Sequence, residues 1–393
     1  MTSSRAYRLT VWASTVIALA IMGDSLMYSL LPLAAPHLGI ALPLVGILLS
    51  ANRLIRLVTN APTSVLFARL GPRRPFLLST LLSLAAVVLY GVAAGFAVFL
   101  LARLLWGVAW SGLRQGGYQM TWAGEVGQRG RLMGLEWGVI RLGSAVSVLV
   151  GGVLFDAYGY KTAVAVIAVF VALAVPLAWL LPWPVEAARQ VADVPREKRE
   201  RTLKEGTSRW VIASGFTQSL LEAVTISTAA IFLSAHFASG WTLGYVGTAT
   251  GVLLAVRWMS NLVFGPLLGA LADHIGHTRM GGALAVAILV LAVVTLQASG
   301  GWGVLALAGM FIGNAGLVVV LTAIANTMAL HTLSPHVLIG AFTTAVDAGL
   351  ALGPLLAYAV LPAFPLAALY VLLSLFLCVT VLRLGWAYSP PQR

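Results

Sequence analysis

Long apolar runs follow one another from one end of the chain to the other, separated by short polar or glycine- and proline-bearing breaks. A bilayer crossing takes about 20 predominantly apolar residues at about 1.5 Å rise each. The pattern predicts twelve helical spans, at approximately 9–31, 43–67, 75–95, 96–118, 133–155, 161–181, 210–234, 243–269, 279–298, 302–325, 338–358 and 363–385. A strand-built barrel is disfavoured, because the runs lack sustained polar–apolar alternation and are too long and uniformly apolar. The first run contains Asp24 and continues into PLAAPHLG without a convincing cleavage site, so it reads as a retained span.

Composition agrees with this pattern. Of the 393 residues, 60% are hydrophobic and only 9% are charged, whereas a soluble domain carries roughly 25% charged residues. The basic residues then orient the spans. With both termini on one side, that side receives Arg5, Arg8, Arg69, Arg73, Arg74, Arg129, Arg131, seven Lys and Arg from Arg189 to Arg209, Arg279, Arg383 and Arg393. The other side receives Lys161 alone. The positive-inside rule therefore makes the termini and the long middle loop cytoplasmic, in a multi-pass protein of the cytoplasmic (plasma) membrane. The formal charge of +12 reads as topology and contact with anionic lipid headgroups rather than nucleic acid binding. The single cysteine, Cys378, rules out an intrachain disulfide and reads as a small buried hydrophobe.

The segment EAARQVADVPREKRERTLKEGT, residues 186–207, is the one extended polar stretch and divides six spans from six. The expected organisation is a six-helix bundle at 1–185, a cytoplasmic linker at 186–208 and a second bundle at 209–393. The halves carry traces of a repeat. A shift of about 205 residues places FARLGPRRP on LADHIGHTR, Gly71 on Gly276, Asn52 on Arg257 and Arg56 on Asn261. A shift of 206 places Gly143 on Gly349 and Arg141 on Asp347, and a shift of 198 places Asp24 on Glu222.

With these motifs the chain resembles the major facilitator superfamily, most closely its twelve-helix proton-coupled exporter (drug/proton antiporter) branch. The family's cytoplasmic loop signature, approximately G-x-L-A-D-R-x-G-R, is matched by GALADHIGHTR with Gly269, Asp273, Gly276 and Arg279 in place. The first-half copy, SVLFARLGPRR, has Ser64 and Ala68 where the family shows Gly and Asp, which shifts a conformational lock toward Asp273. ARLLWGVAWSG resembles the fourth-helix arginine motif through Arg103 and Gly107, and GSAVSVLVGG loosely resembles the exporters' fifth-helix glycine motif. The resemblance implies an all-α polytopic membrane protein of two pseudo-symmetric six-helix bundles. It also implies that the first, fourth, seventh and tenth helices line a central cavity, while the second faces the eleventh and the fifth faces the eighth.

Charged residues at membrane depth are the candidate site, because each is costly in hydrocarbon unless paired or wet. Asp24 lies sixteen residues from Arg8, roughly 24 Å deep, and Arg103 lies about 18 residues, roughly 27 Å, from the cytoplasmic end of its own helix. They are expected to meet, with Asp24 as a protonation or substrate-charge site and Arg103 as its electrostatic partner, or as a static ion pair. Glu222, roughly 20 Å from Arg209, is a second proton- or cation-coupling candidate without an obvious basic partner. Arg53 and Arg56 share one helical face, and the implied neighbours make Asp347 a partner for one of them across the halves. Gating, substrate recognition and static packing remain open for that pair. Arg141, Arg257 and Asn261 complete the gating candidates, with Asn residues and Glu136 as partial compensation for the two arginines. Trp106, Trp110, Trp122, Trp137 and Trp258, with Tyr28 beside Asp24, read as packing or as an aromatic wall for a ring-bearing substrate.

Six membrane-depth arginines, Arg53, Arg56, Arg103, Arg114, Arg141 and Arg257, exceed the acidic candidates Asp24, Glu222 and Asp347. Within the resemblance this favours an anionic or zwitterionic substrate, although the two deeper carboxylates also suit a basic one. The leading function is proton-coupled export of an amphiphilic small molecule. Transport of a small anionic or metal-binding metabolite, and lipid or glycolipid flipping, are alternatives; a receptor or structural membrane protein is the non-transport alternative. No phosphate-cradling G-x-x-x-x-G-K-[ST] is present and the six histidines are scattered, so no enzyme, cofactor or metal centre is expected. The expected partners are the small-molecule substrate, protons or another coupling ion and membrane lipids, for a monomer.

Overall fold

Every described regular element is helical. Hydrocarbon demands this of uninterrupted apolar runs, since a helix satisfies its own N–H and C=O groups within the segment. The computed structural model describes residues 3–92, 94–122, 128–183, 206–238, 245–298, 300–330, 332 and 335–388. The helices are α1 (Ser3–Ala34), α2 (Leu42–Leu70), α3 (Arg73–Val92), α4 (Phe96–Trp122), α5 (Arg129–Leu180) and α6 (Gly206–Ala238). They continue as α7 (Val246–Ile275), α8 (His277–Gln297), α9 (Gly301–Leu330), α10 (Pro335–Val360) and α11 (Leu366–Ala387). The linker expected at 186–208 lies outside the described residues up to 205.

Among the described residues, eleven helices are long and apolar enough to cross a membrane, where the sequence pattern predicts twelve spans. The difference lies at 133–155 and 161–181, which run on as the 52 residues of α5. A straight helix of that length would measure about 78 Å, more than twice a hydrocarbon core of about 30 Å. The backbone breaks it at Gly159, whose φ of 82° and ψ of 176° are not helical. A residue with a Cβ adopts that φ only under strain, so glycine in YGYK is what permits the bend.

The chain divides into two compact units, Met1–Arg189 with Leu243–Met259, and Gln190–Thr242 with Ser260–Arg393. The first half of α7 therefore packs with the first unit, whereas the sequence reading places it wholly in the second. Close backbone approach explains this: Gly152 lies against the Gly247 carbonyl, and Gly251 against the Val148 carbonyl. Asp156 completes the join. Its Oδ1 accepts from the Gly247 amide at 3.0 Å and its Oδ2 from the Thr248 amide at 2.6 Å and hydroxyl at 2.7 Å. These amides belong to the unsatisfied first turn of α7, where a carboxylate also complements the helix dipole.

Each unit is built around its first helix. In the first, α1 packs most extensively on α5, with Gly143 against the Ala18 carbonyl and the Ser147 hydroxyl donating to the Met22 carbonyl at 2.5 Å. In the second, α6 packs most extensively on α10, with Gly349 against the Phe216 carbonyl. A Cβ at either glycine would run into the facing backbone oxygen, so the two glycines aligned by the repeat perform the same task. The repeated turns agree too. Gly71 ends α2 with a φ of 71°, and Gly276 precedes α8 with a φ of 97°.

Replacing Asp156 by Ala strips the α7 amides of their acceptor and is expected to cost about 1–2 kcal/mol, the usual loss at a helix cap. Thermal unfolding of the purified protein reads this as a lowered Tm, with Asp156→Asn intermediate; an unchanged Tm for Asp156→Ala would refute the capping role.

Candidate functional site

The first unit holds an ion pair between α1 and α4. Arg103 is fully buried and its Nη1 donates to Asp24 Oδ1, whose side chain is 13% exposed. The guanidinium is held by two α2 carbonyls as well, Nε to Leu48 at 2.9 Å and Nη2 to Leu49 at 3.4 Å. Asn52 Nδ2, also on α2, donates to the same Asp24 oxygen at 3.0 Å. Asp24 and Tyr28 are four apart and so share one face of α1. The Tyr28 ring lies 5.5 Å from Arg103 Cζ and 5.8 Å from Arg53 Cζ, and its hydroxyl accepts from Arg53 Nε at 3.2 Å. Desolvating two charges costs several kcal/mol per ion, recovered only with good geometry and further hydrogen bonds. Three helices supply them here.

The same unit carries a ladder of aromatic and cationic groups. Trp106 and Trp110 lie 5.9 Å apart, and Trp110 and Trp137 6.4 Å. Arg141 Cζ sits 5.4 Å from the Trp137 ring and 4.6 Å from Trp258, with Arg257 Cζ 5.3 Å from Trp258. Each such contact is worth about 0.5–2 kcal/mol as the site becomes drier. Arg53, Arg141 and Arg257 lie near enough for their charges to act on one another. Trp110 itself is buried in an apolar cluster with Ile17, Trp106, Leu113 and Ile140. The side chain of Trp122 lies outside the described residues.

Compensation of Arg141 by Glu136 needs correcting. The Glu136 carboxyl lies against Gly117 of α4 and Ile17 of α1, while indole faces meet Arg141. Five residues along a helix turn a side chain by roughly 140°, so the two project in different directions.

In the second unit Glu222 is buried among amides. Gln218, one turn earlier on α6, donates from Nε2 to Glu222 Oε2 at 2.8 Å, and Asn314 Nδ2 of α9 reaches the same oxygen at 3.2 Å. Gln218 Nε2 also donates to Asn314 Oδ1 at 3.2 Å. The repeat is visible in this placement, a carboxylate on the first helix of each unit meeting a polar partner on the fourth or its counterpart. Asp347 and Arg56 are half-buried on α10 and α2, and Asn261 has a buried Oδ1. Asp273, near the end of α7, is exposed and lies 3.2 Å from Nε2 of His277, the first residue of α8.

Sequence reasoning paired Asp24 with Arg103 but did not assign Asn52, Gln218, Asn314 or Asp156 to these contacts. A signal existed for Gln218, which lies four residues before Glu222 and hence on its face. For Asn314, the signal was an isolated amide within an apolar run. Asp24 Oδ1 thus accepts from both Arg103 and Asn52.

The model of the Major Facilitator Superfamily matches residues 13–354. No curated protein matches the chain. Among solved structures, that of the nucleoside transporter NupG (D323A mutant) is similar with a TM-score of 0.77 at 13% identity, covering 97% of this chain and 100% of that one. At that identity the likeness shows the fold alone. The family match extends from α1 into α10, and with it the chain belongs to the Major Facilitator Superfamily, as a multi-pass membrane transporter of a small molecule rather than an enzyme.

Proposed function

We propose that the protein is a proton-coupled secondary transporter that exports an amphiphilic small molecule by alternating access. The observation that carries this reading is the buried Asp24–Arg103 pair, bridged by Asn52 and flanked by Tyr28. Protonation of Asp24 would release Arg103 toward substrate, and deprotonation would close the pair again. Glu222, with Gln218 and Asn314, is the second coupling group, and Trp110 belongs to the aromatic wall. Gating falls to Arg53, Arg56, Asp347, Arg141, Arg257, Asn261 and Asp273. In this reading α5 crosses the membrane twice about Gly159, giving twelve crossings in two six-helix halves, with both termini cytoplasmic in the plasma membrane and the protein monomeric.

A second reading, transport of an anionic ring-bearing solute, is favoured by Arg53 and Arg141 beside Tyr28, Trp137 and Trp258. Guanidinium groups suit carboxylate or phosphate, and the rings offer flat apolar faces.

A panel of amphiphilic cations, amphiphilic anions and a nucleoside, presented to proteoliposomes under an imposed pH gradient, separates these readings. Antiport predicts accumulation of an amphiphile when the lumen is acidic; accumulation only with an alkaline lumen indicates symport and overturns export coupled in this sense. Asp24→Asn is expected to reduce gradient-driven accumulation by about tenfold or more.

Removing one partner of the pair separates coupling from packing. Asp24→Ala leaves Arg103 buried without its carboxylate and is expected to cost about 3–5 kcal/mol. The Asp24→Ala/Arg103→Ala double variant should recover much of that stability without recovering proton-driven transport. If transport returns with stability, the pair is only structural.

A further inference from the structure

Glu136 is a carboxylate to which the transport reading above gives no task. It lies on α5, seven residues beyond Arg129 and so about 10 Å along the helix, and it is 2% exposed. Its Oε2 is buried and has no hydrogen-bond partner among the described residues. Its Oε1 fills the space that a side chain at Gly117 would need, with Ile17 Cδ1 alongside. The absence of a Cβ at Gly117 therefore makes room for the carboxyl against α4. One turn on, Ile140 joins Ile17 and Leu113 in the apolar cluster of this unit.

The charged groups on the surrounding helices have other positions or partners. On α1, Arg8 is exposed and Asp24 is bound to Arg103 and Asn52. On α3, Arg74 is exposed and Arg73 donates to the Trp179 carbonyl. On α4, Arg103 is taken by Asp24, and Arg114 is half-buried one turn before Gly117. On α5 itself, Arg131 is exposed and Arg141 lies on Trp137 and Trp258. Tyr118 follows Gly117 on α4 and Tyr160 follows the bend in α5, where its hydroxyl donates to the Tyr90 carbonyl at 3.2 Å. Among the described residues Glu136 Oε2 finds no hydrogen-bond partner.

An ionised carboxylate without counter-charge or donor is far more costly in an apolar interior than the neutral acid. We propose that Glu136 is a proton-binding site of the transport cycle, distinct from Asp24 and Glu222, that holds its proton while the carboxyl is pressed against Gly117. Separation of α5 from α4 at Gly117 would admit water. The carboxyl O–H bond then breaks, its proton passes to a water molecule and Glu136 is left as the hydrated carboxylate. The inference rests on the proton-coupled reading, but its site can be tested without a substrate.

Infrared spectra of the full-length protein in lipid at neutral pH supply that test. The difference between wild type and Glu136→Gln should contain a protonated-carboxyl C=O stretch that shifts in heavy water, and Asp24→Asn should retain the band. A spectrum without that band, or one unchanged by Glu136→Gln, overturns the proposal. Should Glu136→Gln fail to fold, Glu136→Asp keeps the acid and is expected to shift the band; no shift overturns the assignment. A failed transport screen with the band intact would instead reject the transport reading and leave the proton site standing.

Discussion

Charge buried where lipid supplies no partner is the constraint on which the first unit is organised. Arg103 meets it with a carboxylate and two backbone carbonyls, drawing α1, α2 and α4 to one point. Arg141 meets it with two indole faces and Arg53 with a phenol. These solutions differ in strength. A buried ion pair is hard to break without leaving a naked charge, whereas a cation on an aromatic face is held by about 0.5–2 kcal/mol and is easier to move.

The repeat distributes that chemistry unequally. Gly143 and Gly349 admit the same close helix approach, and Gly71 and Gly276 make comparable turns, so the two units share backbone geometry. Their buried acids do not share partners. Asp24 faces a permanent cation, while Glu222 receives hydrogen bonds from the amides of Gln218 and Asn314. The amides of Gln218 and Asn314 place neutral donors on Glu222 Oε2, where Asp24 Oδ1 meets a guanidinium.

The join between α5 and α7 shows how a small local departure redraws a unit boundary. Glycines allow the backbones to touch, and Asp156 gives the first turn of α7 an acceptor it lacks. The outcome is that Leu243–Met259 pack with the first unit although they follow the linker in sequence. Hydrophobic length marks α7 as one span and carries no information about which neighbours its two ends choose.

Much of the architecture was legible in the sequence. Apolar length and the spacing of breaks are local quantities, so the helical membrane class, the repeat and the meeting of Asp24 with Arg103 could be read directly. The merger of the fifth and sixth spans was not, because one glycine can bend a continuous helix or separate two. The acceptors of Arg103 on α2 were likewise hidden, since main-chain carbonyls have no signature in residue type. By itself the sequence determined that charged side chains would have to be reconciled with hydrocarbon. Only the tertiary structure decided how, because Asp24 meets Asn52 and Arg103 across 28 and 79 residues of chain, and helix packing selects which side chains share that space.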